Sequence, residues 1–422
     1  MAFKAFKAFD ELTDGLPEPV RRAWERSLTS GRAAVGRRSL LRAAALTAGA
    51  GTLAACGIPA APRATGDSTA NAAKDLSESE KEVDFSNWPL YIDTDEKDKQ
   101  KHGTLDAFTA ATGVKVKYNE DVNDNVEFFG KVKPQLAAGQ DTGRDLVVLT
   151  DWMAARLIRL GWAQKLDPAN VTTAITNVDA RFRAPDWDPG RLYTYPWAGI
   201  QTVIAYNRKA TRGKEVTSVS QLLDDPELKG RVTFLSEMRD SIGMVLLDMG
   251  KDPAKFTADD YAGAIARMQK AVDDKQIRRF TGNDYGQELS SGDIAACVAW
   301  GGDLIQLRAD NPDIEFVIPE KGYLASTDNM LVPAKARHKT NAEKLIDFYY
   351  QPKIAAQLVA GIGFVSAVTG MKDELATIAP DSAANPLVVP TPEMAAKAHV
   401  FRTLTEGEES DFEQKFSKLI GA

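Results

Sequence analysis

Cysteine, histidine and long apolar runs are scarce in this chain, and each scarcity excludes something. Two Cys in 422 residues cannot build a disulfide framework. The three His, at 102, 338 and 399, stand far apart, and none has the spacing of a zinc protease or a His-containing triad. No run of 18 apolar residues is present, so no ordinary transmembrane helix is expected. Neither a G-x-S-x-G nucleophile elbow nor a G-x-x-x-x-G-K-[ST] phosphate loop occurs, which weakens an enzyme reading. Basic charge is also short: the net of −7 is the wrong sign for nucleic acid and suits a cationic partner. What remains is globular in composition, 44% hydrophobic and 26% charged, and long enough for two domains with an ordinary core.

The first 55 residues depart from that average. Nine Lys/Arg against five acids leave them at +4, and the rest of the chain at −11. Within them, Gly36-Arg37-Arg38-Ser39-Leu40-Leu41-Arg42 resembles a twin-arginine export signal. A weakly apolar Ala/Gly/Leu stretch follows, then Leu53-Ala54-Ala55-Cys56, which resembles a lipobox whose Cys56 thiol is acylated. The order implies a signal over residues 1–55 and a lipid on Cys56, holding an exported protein to the membrane. Residues 56–81 are rich in Ala, Pro, Ser, Thr and acids without an apolar period, and read as a flexible tether.

Beyond the tether, apolar stretches alternate between extended and helical patterns. Strands are expected at Val83–Phe85, Val114–Tyr118, Leu146–Leu149, Thr202–Tyr206, Arg231–Leu235, Ile294–Trp300 and Asn329–Val332. Helices are expected at Leu105–Ala111, Val126–Ala138, Ala342–Tyr350, Lys353–Ala360 and Phe412–Ile420, with Gly113 and Gly139 as stops. Such alternation predicts an α/β fold with a largely parallel sheet. Asp93-Thr94-Asp95-Glu96-Lys97 begins like a calcium loop, but Lys97 stands at a ligand position and the required Gly is missing. It reads instead as a solvated acidic helix start. Cys297, inside an apolar strand, reads as an inert core thiol.

Aromatics beside acids recur where strands end. Asn87-Trp88-Pro89-Leu90-Tyr91 follows the first strand, Thr150-Asp151-Trp152 follows Leu146–Leu149, Glu237-Met238-Arg239-Asp240 follows Arg231–Leu235, and Trp300 ends another. Ligands of open α/β sheets sit outside the carboxyl ends of strands, so these are candidate site positions. Composition alone does not name the ligand.

The order of the segments from Val83 to Leu419 resembles the spermidine/putrescine-binding proteins of bacterial ABC importers. The resemblance is carried by Phe85-Ser86-Asn87-Trp88-Pro89-Leu90-Tyr91, Asp145-Leu146-Val147-Val148, Gly161–Asp167, Trp300-Gly301-Gly302, Asp328–Pro333 and Ala342–Phe348. It implies a two-lobed, type II periplasmic-binding-protein-like fold with ligand in the cleft. Residues 82–202 with 328–372 would form one lobe, and 203–327 with 373–422 the other. It implies no cofactor and no metal, a polyamine ligand, and an ABC permease with its ATPase as partners. Position by position, aromatic walls fall on Trp88, Tyr91, Trp152 and Trp300, carboxylates on Glu237, Asp240 and Asp328, and a small polar contact on Thr150. The chain departs from the pattern in having Ser326 where relatives often place a Trp, Phe364 where a Tyr is usual, and Arg402 at an amide position. One wall should then be thinner, with a cation near the ligand.

A polyamine needs anions at intervals and apolar walls between them. Carboxylates accept charge-assisted hydrogen bonds from each ammonium, while aromatic faces cover the methylenes. The competing readings keep the fold and change the solute to an organophosphonate, another anion or ferric ion, or make the chain an exported enzyme. Anion sites favour helix N-termini and Arg rather than carboxylates. Ferric sites favour paired Tyr, and no close pair stands near a candidate site except Tyr349-Tyr350, which reads as helix packing.

Overall fold

The computed structural model describes residues 72–421 except Glu96 and Lys99. The proposed signal, with Arg37, Arg38 and Cys56, lies outside the described residues. All described residues belong to one compact unit. Among them no helix is long and apolar enough to cross a membrane.

Ten strands form one sheet: β1 (Glu82–Asn87), β2 (Lys115–Glu120), β3 (Leu146–Thr150), β4 (Thr194–Asn207), β5 (Val232–Leu235), β6 (Ile277–Thr281), β7 (Ala296–Trp300), β8 (Ile314–Val317), β9 (Tyr323–Leu331) and β10 (Ala398–His399). The order is β2-β1-β3-β9-β4-β7-β5-β6, with β8 on β4 and β10 on β9. Each end of the sheet is parallel, as expected of strands joined by helical crossovers. The middle is not: β9 runs antiparallel to β3 and β4, and β4 runs antiparallel to β7 and β8. The expectation of a largely parallel sheet therefore fails at its centre. β4 and β9 are the crossing strands that tie two lobes together, and the lobes meet along them.

The crossing strands were also the hardest to read. All fourteen residues of β4 are buried, yet only Thr202–Tyr206 carries a plain strand pattern. Its first half holds Pro196, which lacks an amide donor and sits where the register to β9 shifts. It also holds Gly199, where an added Cβ would come within 3.3 Å of Val365, whose carbonyl accepts the Gly199 amide at 2.8 Å. The early part of β9 was hidden by Ser326, Thr327 and Asp328, polar residues that face the site rather than the core.

Elsewhere sequence and structure agree closely. Leu146–Leu149 is buried on both faces, and Gly113, in the left-handed region, ends helix Gly103–Thr112. Asp124 caps helix Asn125–Ala137 by accepting the Val126 and Glu127 amides at 2.7 and 3.0 Å. Asp93 starts no helix of its own; it reaches forward and accepts the Thr104 amide at 2.8 Å, at the start of Gly103–Thr112.

Two expected boundaries move. Within the supposed tether, the Leu76 amide donates to the Arg337 carbonyl at 2.8 Å, and buried Ser77 accepts the Asn341 amide at 3.1 Å. The ordered body thus begins before Glu82. At the other end, Met371 and Leu375 pack with Ala355, Ala356, Val359 and Val388 in a small separate core. That core spans the expected lobe limit at residue 372.

Candidate functional site

A cavity lies where β3 and β7 end, beside the middle of β9, walled by Trp88, Tyr91, Ile200, Trp300 and Phe364. Trp88 hangs on the turn after β1, its indole N–H donating to the Val148 carbonyl at 3.0 Å. It meets Trp300 of the other lobe edge to face, with ring centroids 5.8 Å apart. Tyr91 packs on Phe364 in the same way at 4.6 Å. Phe364 lies directly over the backbone of Gly302, where any Cβ would strike its ring. The glycine pair after Trp300 is thus a close-approach requirement.

Three carboxylates face this aromatic box. Asp240, in the first turn of helix Met238–Asp248, accepts Thr202 Oγ at 2.6 Å and the Trp300 indole N–H at 3.2 Å. Asp328 on β9 accepts Thr150 Oγ at 2.7 Å. Asp303, in the first turn of helix Gly301–Asp310, accepts Asn283 Nδ2 at 2.7 Å and the Tyr285 hydroxyl at 2.6 Å. Among the described residues, none of the three has a Lys, Arg or His at ion-pair distance.

Their electrostatics follow from that isolation. Burial disfavours the charged form, so Asp328 is pushed up to about 7, with the charges of Asp151 and Asp240 adding to the rise. Burial likewise pushes Asp303 up to about 7 and raises Asp240. The Tyr91 hydroxyl is buried beside Asp328 without completing a hydrogen bond, and burial raises it well above its ordinary value. Uncompensated buried acids with a spare donor group between them describe a site arranged for a cation.

Seven of the ten candidate residues line this box: Trp88, Tyr91, Thr150, Asp240, Trp300, Asp328 and Phe364. Ser326 lines it too, on the strand position opposite Ile200. Past Ser326 the box adjoins a larger chamber, the two sharing Thr150, Asp240 and Ser326. Trp152 lines this chamber rather than the box, with the Arg239 guanidinium 3.9 Å over its ring. Arg402 also borders the chamber, but its guanidinium is held by Glu408 at 2.6 and 3.1 Å and by the Phe256 carbonyl at 3.1 Å. Its charge is neutralised, so the expected repulsion of the ligand has no source. Glu237 stands outside both cavities, buried against Asn125.

Asp303 was missed from sequence, together with Asn283 and Ile200. The sequence carries a signal for Asp303: it stands three residues beyond Trp300, just past a strand end like the other candidate positions. Cys297 is buried as expected, and burial pushes its thiol far above the ordinary range. Tyr349 and Tyr350 are core residues, hydrogen-bonded to Thr104 and the Pro196 carbonyl, both at 2.8 Å.

Two α/β lobes joined by crossing strands, with an acid-lined aromatic cleft at the crossing, define a type II solute-binding protein. The chain belongs to the bacterial extracellular solute-binding protein family, whose model matches residues 104–391. It is similar to the spermidine/putrescine-binding periplasmic protein of Escherichia coli K12, at 27% identity over 280 residues, 66% of this chain and 76% of that one. A putrescine-binding periplasmic protein of the same organism is 29% identical over 339 residues, covering 76% of this chain and 86% of the relative. In fold it resembles the structure of a putative spermidine/putrescine ABC transporter from Listeria monocytogenes, with TM-score 0.69 and 20% identity over 80% of this chain and 98% of that one.

Proposed function

We propose that this chain captures a polyamine of the spermidine/putrescine class outside the cytoplasmic membrane and delivers it to the permease and ATPase of an ABC importer. One observation carries the reading. Asp303 and Asp328 are buried and Asp240 half-buried around a single aromatic box, and among the described residues no cationic side chain is paired to any of them. An incoming ammonium supplies the missing charge, and each carboxylate then accepts a short charge-assisted hydrogen bond. The faces of Trp88, Tyr91 and Trp300 cover the methylenes and attract the cations, at about 0.5–2 kcal/mol per well-placed contact. An anion in the same box would meet three acids. Relatives whose names record spermidine and putrescine binding support the choice of amine. The twin-arginine and lipobox motifs support export and a lipid on Cys56, which would hold the protein beside its permease.

The test is thermal unfolding of the ligand-free protein. A ligand that binds only the folded state stabilises it by RT ln(1 + [L]/Kd). Spermidine or putrescine should raise the melting temperature, while sulfate, phosphate and simple sugars should not. No shift with any polyamine at millimolar concentration rejects the reading.

A further inference from the structure

The chamber beyond Ser326 differs in chemistry from the box. Five arginines border it, and four are already paired: Arg159 and Arg239 with Glu409, Arg181 with Asp179, and Arg402 with Glu408. Arg191 is the exception. It is 4% exposed, and no carboxylate among the described residues lies at ion-pair distance from it. Its Nε donates to the Phe182 carbonyl at 2.7 Å, and its Nη1 to Thr194 Oγ at 3.0 Å and Asn329 Oδ1 at 2.8 Å. Among the described residues, Nη2 has no such partner.

The acids around Arg191 are otherwise engaged. Asp188 is near enough to favour its charge, but that carboxylate accepts the Leu192 and Thr194 amides, both at 2.9 Å, and Thr194 Oγ at 2.8 Å. Asp151 accepts the Trp152 amide at 2.7 Å. Asp186 stands on the exposed rim. The arginine is also held in the left-handed region at φ 56°, an uncommon conformation for a side chain of its size. The guanidinium is thereby held beside the chamber, 5.4 Å from the centroid of the Trp187 ring, with Nη2 carrying its remaining N–H groups. The Nη2 hydrogens of such a buried, charged group can be accepted by a carboxylate oxygen in a charge-assisted bond.

We propose that the ligand carries a carboxylate as well as amines: an acylated diamine whose ammonium end fills the aromatic box and whose free carboxylate reaches Arg191 through the passage beside Ser326. The inference rests on the reading of the box as an amine subsite, and it narrows the substrate class. Capping one amine with a dicarboxylic acid replaces an ammonium by an amide and an anion. The box then holds the remaining cation, and the arginine receives the charge that the box rejects.

The experiment compares two probes that differ only in the carboxylate, N-succinylputrescine and N-acetylputrescine, with putrescine and spermidine alongside. In wild type, calorimetry should give at least tenfold tighter binding for the succinyl derivative than for the acetyl one. Raising the salt concentration should narrow that gap. Arg191→Gln should bring the two derivatives to the same affinity, and Arg191→Lys should restore part of the difference. If Arg191→Gln does not fold, the wild-type pair and its salt dependence decide alone. Equal affinities in wild type, with plain polyamines still bound, overturn this inference and leave the polyamine reading standing. No binding of any of the four amines overturns both.

Discussion

Asn125 and Glu237 clasp each other across the two lobes: the Asn125 backbone amide and its side-chain N–H both donate to Glu237 Oε1, at 2.9 and 2.8 Å. The second Asn125 N–H donates to Thr150 Oγ at 2.8 Å, and the Thr150 amide returns a bond to Asn125 Oδ1 at 3.1 Å. With its lone pair engaged, the Thr150 hydroxyl has its own proton left for Asp328. Glu237, first read as a ligand contact, thus acts on the box through a chain of three hydrogen-bonded neighbours.

Burial, with the nearby Asp124 charge, raises Glu237 well above the ordinary carboxyl range. A neutral amide is therefore a close substitute. Glu237→Gln should leave stability within about 0.5 kcal/mol of wild type. Glu237→Ala removes the acceptor from two buried donors and should cost about 1–3 kcal/mol. Urea unfolding of both variants checks this. Equal losses in the two would mean that the carboxylate charge, not its acceptor oxygen, holds the clasp.

Asp328→Asn, Asp240→Asn and Asp303→Asn should each weaken spermidine binding tenfold or more, where one decade is about 1.4 kcal/mol. The ligand-free variants should melt no lower than wild type at pH 8, because each substitution removes a carboxylate charge that no cationic side chain among the described residues neutralises. Trp300→Ala should lose affinity by a similar factor through the missing aromatic wall. A folded Asp328→Asn variant that binds spermidine as wild type does would remove Asp328 from the site.

How far the site was legible depended on what each residue also does for the fold. Trp88, Tyr91, Thr150 and Trp300 were visible because they end strands whose apolar runs are plain. Asp303 does not stand out in the sequence, because an acid in the first turn of helix Gly301–Asp310 is an ordinary helix-start residue. Glu237 lies outside the box and Arg402 at the border of the chamber, placements that chain order does not show. A position carried over by resemblance records neighbourhood, and only three-dimensional structure shows that Asn125 and Glu408 have claimed those side chains. The antiparallel centre of the sheet was illegible for a related reason. Pro196 and Gly199 break the strand pattern of β4, and the polar residues of β9 serve the cleft rather than the core.

Ligand binding should expel protons near pH 6. Burial pushes Asp303 and Asp328 up to about 7, so in the empty site both hold protons at that pH. An ammonium favours the carboxylates and drives those protons out. The sign for the ligand-free protein is the reverse of a salt-bridged acid. Between the unfolded carboxyl value of about 3.9 and about 7, the folded state binds protons that the unfolded chain has lost, so this contribution to stability falls as pH rises and is level above about 7. Affinity for spermidine should accordingly increase from pH 5 to 8 and then plateau. Calorimetry at pH 6 in two buffers of different ionisation enthalpy should report proton release, with almost none at pH 8.5. Absence of release at pH 6 would mean that the box acids are already ionised when empty.

Selectivity should turn on Ser326. It faces Ile200 across the β4–β9 ladder and stands where the box opens into the larger chamber. A serine there leaves the aromatic enclosure incomplete, so a short diamine has water on one side and loses part of the attraction a ring face would supply. A longer polyamine extends through the gap and keeps its contacts. Spermidine should therefore bind more tightly than putrescine in wild type. Ser326→Trp fills space that is already empty, so it can add a wall without compressing the core. The indole would cover the diamine methylenes and close the passage, improving putrescine while penalising any ligand that must reach the chamber. Calorimetric affinities for both amines in wild type and Ser326→Trp give the ratio directly. A ratio unmoved by the substitution would show that the side chain at 326 turns away from the ligand.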